Sequence, residues 1–200
     1  MLDDVDLLRT YVVDDLNVKG RTALIRVVPY GVPTMVRDSS EQASKGRSRR
    51  PYREAWKLGA FRHAVKASHR VPFVVGVVGG HNARRENPYA DVGRAINLVE
   101  RDDALYGDFA IDASPFGEHA LAKIESGQWR GVSVGAKALK FADEGDPFHG
   151  GTRWRTLAAL DHVLLTEHPA YADAQVLTLR EAEDELPRVA HWLSKYPRPA

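Results

Sequence analysis

The sequence predicts an α+β protein, mainly an antiparallel β-barrel with a few surrounding helices. Three observations point there. Short segments of period-two alternation or unbroken β-branched residues recur along the chain. Helical signals are few, and no segment repeats. The chain has 200 residues, 44% of them hydrophobic, enough for one sizeable core, and no linker divides it. Residues 1–200 therefore read as a single domain.

The elements follow in order. Residues 8–30 hold two β-rich runs around Asn17 to Gly20, read as strands joined by a turn. Residues 37–50, RDSSEQASKGRSRR, are polar and aperiodic and read as a mobile loop. In residues 53–68, REAWKLGAFRHAVKAS, the spacing of Trp56, Ala60, Phe61 and Ala64 predicts a helix. VPFVVGVV (71–78) is apolar throughout, the mark of a buried strand, and it runs into Gly79, Gly80 and His81. A polar loop, NARRENPYAD, follows.

Two alternating runs then flank Arg101, Asp102 and Asp103. Val92, Arg94, Ile96 and Leu98 share one parity, and Leu105, Gly107, Phe109 and Ile111 another, which predicts a hairpin. Ser114 and Pro115 open a helix as cap and first residue, and Gly127 closes it. Residues 129–141 alternate again, with Val132, Val134, Ala136 and Ala138 on one side and Ser133, Gly135 and Lys137 on the other. DEGDPFHGG is a loop, the run after it is β-rich at its apolar end, and AQVLTL reads as a last short strand. Residues 180–200 read as a C-terminal helix, interrupted before Pro187, and a tail.

Composition narrows the chemistry. A net charge of +1 gives no argument for nucleic acid or an anionic membrane. With no cysteine, disulfides, thiol catalysis and thiolate metal sites are excluded. The acidic start, MLDDVDLLRTYVVDD, lacks the apolar stretch of a signal peptide, and no run is long enough to span a bilayer. The expectation is a soluble, cytoplasmic protein.

One motif carries chemistry. Gly131-Val132-Ser133-Val134-Gly135 matches G-x-S-x-G, which in α/β-hydrolases places the serine on a sharp strand-to-helix turn. Here the order is reversed: a helix closes before the serine and a strand runs through it. Ser133 still needs a base, and histidine is the usual one near neutral pH. Of the eight histidines, His63, His69, His119, His149 and His191 read as surface residues. His81 differs because it follows a buried strand and two glycines, where a rigid side chain meets an approachable backbone. His162 differs because it lies inside an apolar strand, LAALDHVLLT, either as a satisfied core histidine or as a site member. A metal site of His81, His162 and His168 has enough ligands but no H-E-x-x-H motif.

Four segments in order then carry a resemblance: YREAWKLGAF (52–61), VVGVVGGHNARRENPYADVGRA (74–95), KIESGQWRGVSVGAKA (123–138) and LDHVLLTEHPAYADAQV (160–176). Together they resemble the phage prohead (capsid maturation) proteases, related in fold to the herpesvirus assemblins, over residues 20–180. The resemblance implies a herpesvirus-protease-like fold and a triad of Ser133 as nucleophile, His81 as general base and a third residue on the late strand. Many family members have a carboxylate seven residues before the proline of Pro-Ala-Tyr. Counting back from Pro169 lands on His162, and the herpesvirus relatives use histidine there. Asp161 is the alternative: a regular strand turns it to the opposite face, and a one-residue bulge exchanges the two. Glu167 and His168 are weaker candidates.

The resemblance further implies a serine endopeptidase with no cofactor and no metal, cleaving scaffold protein or the scaffold-like segment of the major capsid protein. Self-cleavage, self-association and residence inside the assembling procapsid in the host cytoplasm belong to the same expectation. Residues 37–50 and the tail after about Arg180 are the expected self-cleavage regions, since their sequence reads as exposed. Backbone N–H groups around Ser133 are the natural oxyanion donors. An arginine, Arg153 or Arg155, is a candidate to assist them, but both read first as a solvated hairpin edge. The competing reading is a catalytically decayed capsid or scaffold-interaction domain, favoured by the missing carboxylate at position 162.

Overall fold

The computed structural model describes residues 5–11, 21–36, 50–76, 89–167 and 174–180. Most of the 37–50 loop, the segment carrying His81, and the helix and tail expected after Arg180 lie outside them. The strands are β1 (Val5–Tyr11), β2 (Thr22–Pro29), β3 (Thr34–Val36), β4 (Tyr52–Trp56), β5 (Pro72–Gly76), β6 (Tyr89–Glu100), β7 (Ala104–Ile111), β8 (Gly131–Glu144), β9 (Thr152–Thr166) and β10 (Gln175–Arg180). Two helices, α1 (Arg62–Lys66) and α2 (Pro115–Glu125), and a single 3-10 turn (Ser68–Arg70) complete the described elements.

All ten strands join one sheet in the order β1-β8-β10-β2-β7-β6-β5-β9-β4-β3, and β8 pairs with β9 as well. The expected antiparallel barrel is corrected: the sheet is open and mixed. β9 runs parallel to both β4 and β5. Among the described residues β1 and β3 each pair on one side only, so both stand as edges. The physical reason lies on β8. A strand edge can be hydrogen-bonded once, and β1 takes that edge from Val132 to Ala138, leaving β10 a single pair, Gln175 with Gly131. β1 and β2 are both strands, as the sequence predicts, but they are not neighbours.

The helix expected over 53–68 is the second correction. Its first part is β4, and only Arg62–Lys66 are α-helical. Trp56, Ala60, Phe61 and Ala64 are all buried, so the spacing reported burial correctly and the wrong period. Two features override it. Glu54 to Trp56 pair in parallel with Arg153 to Arg155, and Gly59 turns the chain at φ 86°, a backbone state glycine adopts without strain.

The other elements follow their sequence signals. β6 and β7 form the hairpin across residues 101–103, with Glu100 opposite Leu105. A bulge between Ala95 and Asn97 puts Ile96 out in solvent, so the parity read from Val92 to Leu98 breaks midway. The Ser114 side chain accepts a hydrogen bond from Gly117 N at 3.1 Å, which caps α2, and Gly127 follows it at φ 69°.

The core forms against one face of the sheet. It takes Val132, Val134, Ala136 and Ala138 from β8, Leu160, Val163 and Leu165 from β9, Phe73 and Val75 from β5, and Ala120 and Ile124 from α2. Each fully buried large aliphatic or aromatic side chain contributes about 1.5–3 kcal/mol.

Candidate active site

β8 alternates between two environments. Val132, Val134 and Ala136 point into the core, which turns Ser133 and Gly135 to the other face. Across the antiparallel pair, Ser133 stands opposite Leu164 and Gly135 opposite His162. Ser133, Gly135, His162 and Leu164 therefore share a face, and Ser133 and His162 are diagonal neighbours. Diagonal Cβ atoms on a sheet are about 7–8 Å apart or less, within the combined reach of a serine and an imidazole. Ser133 is fully buried, at 0% exposure; Leu164 opposite it, and Val74 beyond Leu164 on β5, are also buried and lie outside the main core cluster.

What places His162 on this face is a bulge. Gly135 pairs with His162, but the next residue, Ala136, pairs with Leu160, so Asp161 is the extra residue. Leu160 enters the core while His162 turns away from it. In a regular strand residues 160 and 162 would face the same way. The bulge falls on Asp161 itself, which is exposed and skipped by the β8 register, and it does not exchange Asp161 with His162.

Gly135 makes room for the ring. A Cβ built at Gly135 would lie 2.2 Å from Cε1 of His162 and 2.6 Å from each ring nitrogen. No side chain fits while the imidazole lies there. The ring of Tyr89, the first residue of β6, packs against the imidazole, with centroids 4.8 Å apart and planes tilted by 45°. The Nε2 atom of His162 is buried and has no hydrogen-bond partner among the described residues. Burial holds the His162 pKa below its ordinary value, so the ring is neutral, with one N–H donor and one lone pair. Burial likewise raises the Tyr89 pKa, which keeps the phenol protonated.

The remaining candidates are placed apart. His81 and His168 lie outside the described residues. Glu167 accepts a hydrogen bond from Trp129 Nε1 at 2.8 Å, at the end of β9. Arg153 is bound to Asp143 through Nε and Nη2 at 2.8 and 2.7 Å. Arg155, read as a solvated edge, is instead buried at 2% exposure and held by Glu54 at 2.7 Å. It pairs with Phe141, and at about 3.3 Å per residue the strand sets it on the order of 30 Å from the Ser133 pair. No group of three or more potential metal ligands occurs among the described residues.

Sequence reasoning missed two participants. Tyr89 sat at the end of what read as a polar loop, and no pattern tied it to His162. Gly135 was visible as the second glycine of the motif, but its use, clearance for a ring on the neighbouring strand, depends on register. Searches against protein-family models, curated proteins and solved structures found no match to this chain.

Proposed function

We propose that the chain is a serine endopeptidase of the capsid-maturation type, with Ser133 as nucleophile, His81 as general base and His162 as third member. The observation that carries this reading is the shared face of Ser133 and His162, with Gly135 cleared to hold the imidazole. A buried neutral histidine with an open nitrogen suits a group that orients a second imidazole.

In the proposed reaction, Ser133 Oγ attacks a peptide carbonyl while His81 takes its proton. His81 then protonates the leaving amine, and water releases the acyl group by the reverse sequence. His162 accepts the other N–H of His81 and so fixes its tautomer. A neutral imidazole offers a dipole where a carboxylate offers a charge, so it stabilises the imidazolium less. The expected enzyme is slow, which suits cleavage in a shell where substrate is concentrated. Scaffold protein, or the scaffold-like segment of the major capsid protein, is the proposed substrate, with self-cleavage alongside, and no cofactor takes part.

The second reading is a decayed capsid or scaffold-interaction domain. Complete burial of Ser133 favours it. One experiment separates the two. Ser133→Ala removes one oxygen, and under the peptidase reading it lowers processing by about 10⁴-fold or more while thermal unfolding stays near that of the parent. Unchanged processing by this variant, together with no labelling of Ser133 by a serine-reactive phosphonate, sinks the peptidase reading.

A further inference from the structure

A nucleophile at 0% exposure cannot meet a peptide until something beside it moves. The neighbours of Ser133 differ in how firmly they are held. On one side is Leu164 of β9, a central strand that also pairs with β4 and β5. On the other is Thr10 of β1, directly opposite Ser133. β1 is seven residues long, stands at the end of the sheet and, among the described residues, pairs only with β8. Of the two described strands that flank Ser133 in the sheet, it is therefore the one that can leave without breaking a second ladder.

If β1 leaves, β8 presents a row of main-chain donors and acceptors from Val132 to Ala138, centred on Gly135 and including Ser133 near one end. Such an edge binds an extended peptide by strand addition. We propose that β1 is an exchangeable strand, and that residues 5–11 occupy in cis the peptide-docking edge of β8 beside Ser133. The occupant that replaces it is residues 5–11 of a second copy of this chain, since VDLLRTY is the segment already in register with this edge. Affinity for an added peptide is then reduced by the fraction of time the edge is covered. The proposal deepens the peptidase reading by naming what holds its docking edge shut, and it rests on that reading only for the role of Ser133.

The absence of cysteine makes a lock simple to build. Asp6 and Lys137 are register partners, and partners in an antiparallel pair have Cα atoms about 4.5–5.5 Å apart, within disulfide range. In the full chain carrying Asp6→Cys and Lys137→Cys, oxidation ties β1 down and reduction frees it. The probe is a fluorescent VDLLRTY peptide, followed by anisotropy, with a scrambled peptide as control. Expected is saturable binding to the reduced form and binding weaker by at least about tenfold to the oxidised form. Equal binding in both forms, or none to the reduced form, overturns the proposal. If the double variant does not fold, hydrogen exchange on the unaltered chain decides. Amides of residues 5–11 should exchange at least about 100-fold faster than those of β9, and equal protection overturns the proposal. Both readouts are independent of catalysis. Normal processing by Ser133→Ala would remove the peptidase reading and leave the strand-exchange result standing.

Discussion

Two polar clusters lie on opposite stretches of the same long strand, and they are built on opposite principles. Near the start of β9, Arg155 donates through Nε to Glu54 at 2.7 Å and through Nη2 to the Tyr52 hydroxyl at 2.8 Å. That hydroxyl donates in turn to Glu54 at 3.1 Å. All three residues are buried, and the charges of Arg155 and Glu54 pair with each other there. Near the end of β9, His162 lies over Gly135 against Tyr89 with Nε2 unpartnered among the described residues. The first cluster ties β4 to β9, and none of its buried side-chain polar atoms lacks a partner. The second spends a side-chain position, Gly135, to hold a ring whose nitrogen remains available. Buried polar groups that serve only the fold are satisfied, and an unsatisfied one calls for another explanation.

The largest stability effect should come from breaking the first cluster. Arg155→Ala strands the Glu54 carboxylate in the interior and is expected to cost about 3–5 kcal/mol, measured by denaturant unfolding. Gly135→Ala comes next. The new Cβ collides with the imidazole, and the expected cost is about 1–3 kcal/mol. The sharper test is the cycle with His162→Ala, because Gly135→Ala should cost much less once the ring is gone. An equal cost in both backgrounds would mean that Gly135 is needed for its backbone alone.

The smallest effect is on pH dependence. The folded pKa of His162 is lowered, while in the unfolded chain it sits at about 6.5. As pH falls through that value, the unfolded state takes up a proton that the folded state refuses. The contribution of His162 is thus complete above pH about 6.5 and is lost as pH falls toward its folded pKa. His162→Gln should flatten the stability profile in that window relative to the parent. The same variant should leave stability above the window within about 1 kcal/mol, since no bond to Nε2 is lost.

Parts of both clusters were legible in the sequence, to different degrees. Period-two alternation in β8 put Ser133 and Gly135 on one face, because side-chain direction in a strand is a local property. The caps of α2 and the β6–β7 hairpin were readable for the same reason. Arg155 was misread as a solvated edge because its partners, Tyr52 and Glu54, come from a parallel strand a hundred residues away. The face of His162 was equally hidden. It depends on a single extra residue at Asp161, and a bulge leaves no mark in hydrophobic periodicity.

By itself, the sequence determined a β-rich chain without thiol chemistry, the strand that carries Ser133 and the glycine two residues beyond it. Those follow from composition and from near-neighbour geometry along the backbone. Only the tertiary structure decided that the sheet is open, because one strand edge can be paired once and β1 competes with β10 for it. Only the structure brought His162, Gly135 and Tyr89 together, because register across strands is set by long-range pairing that no local pattern encodes.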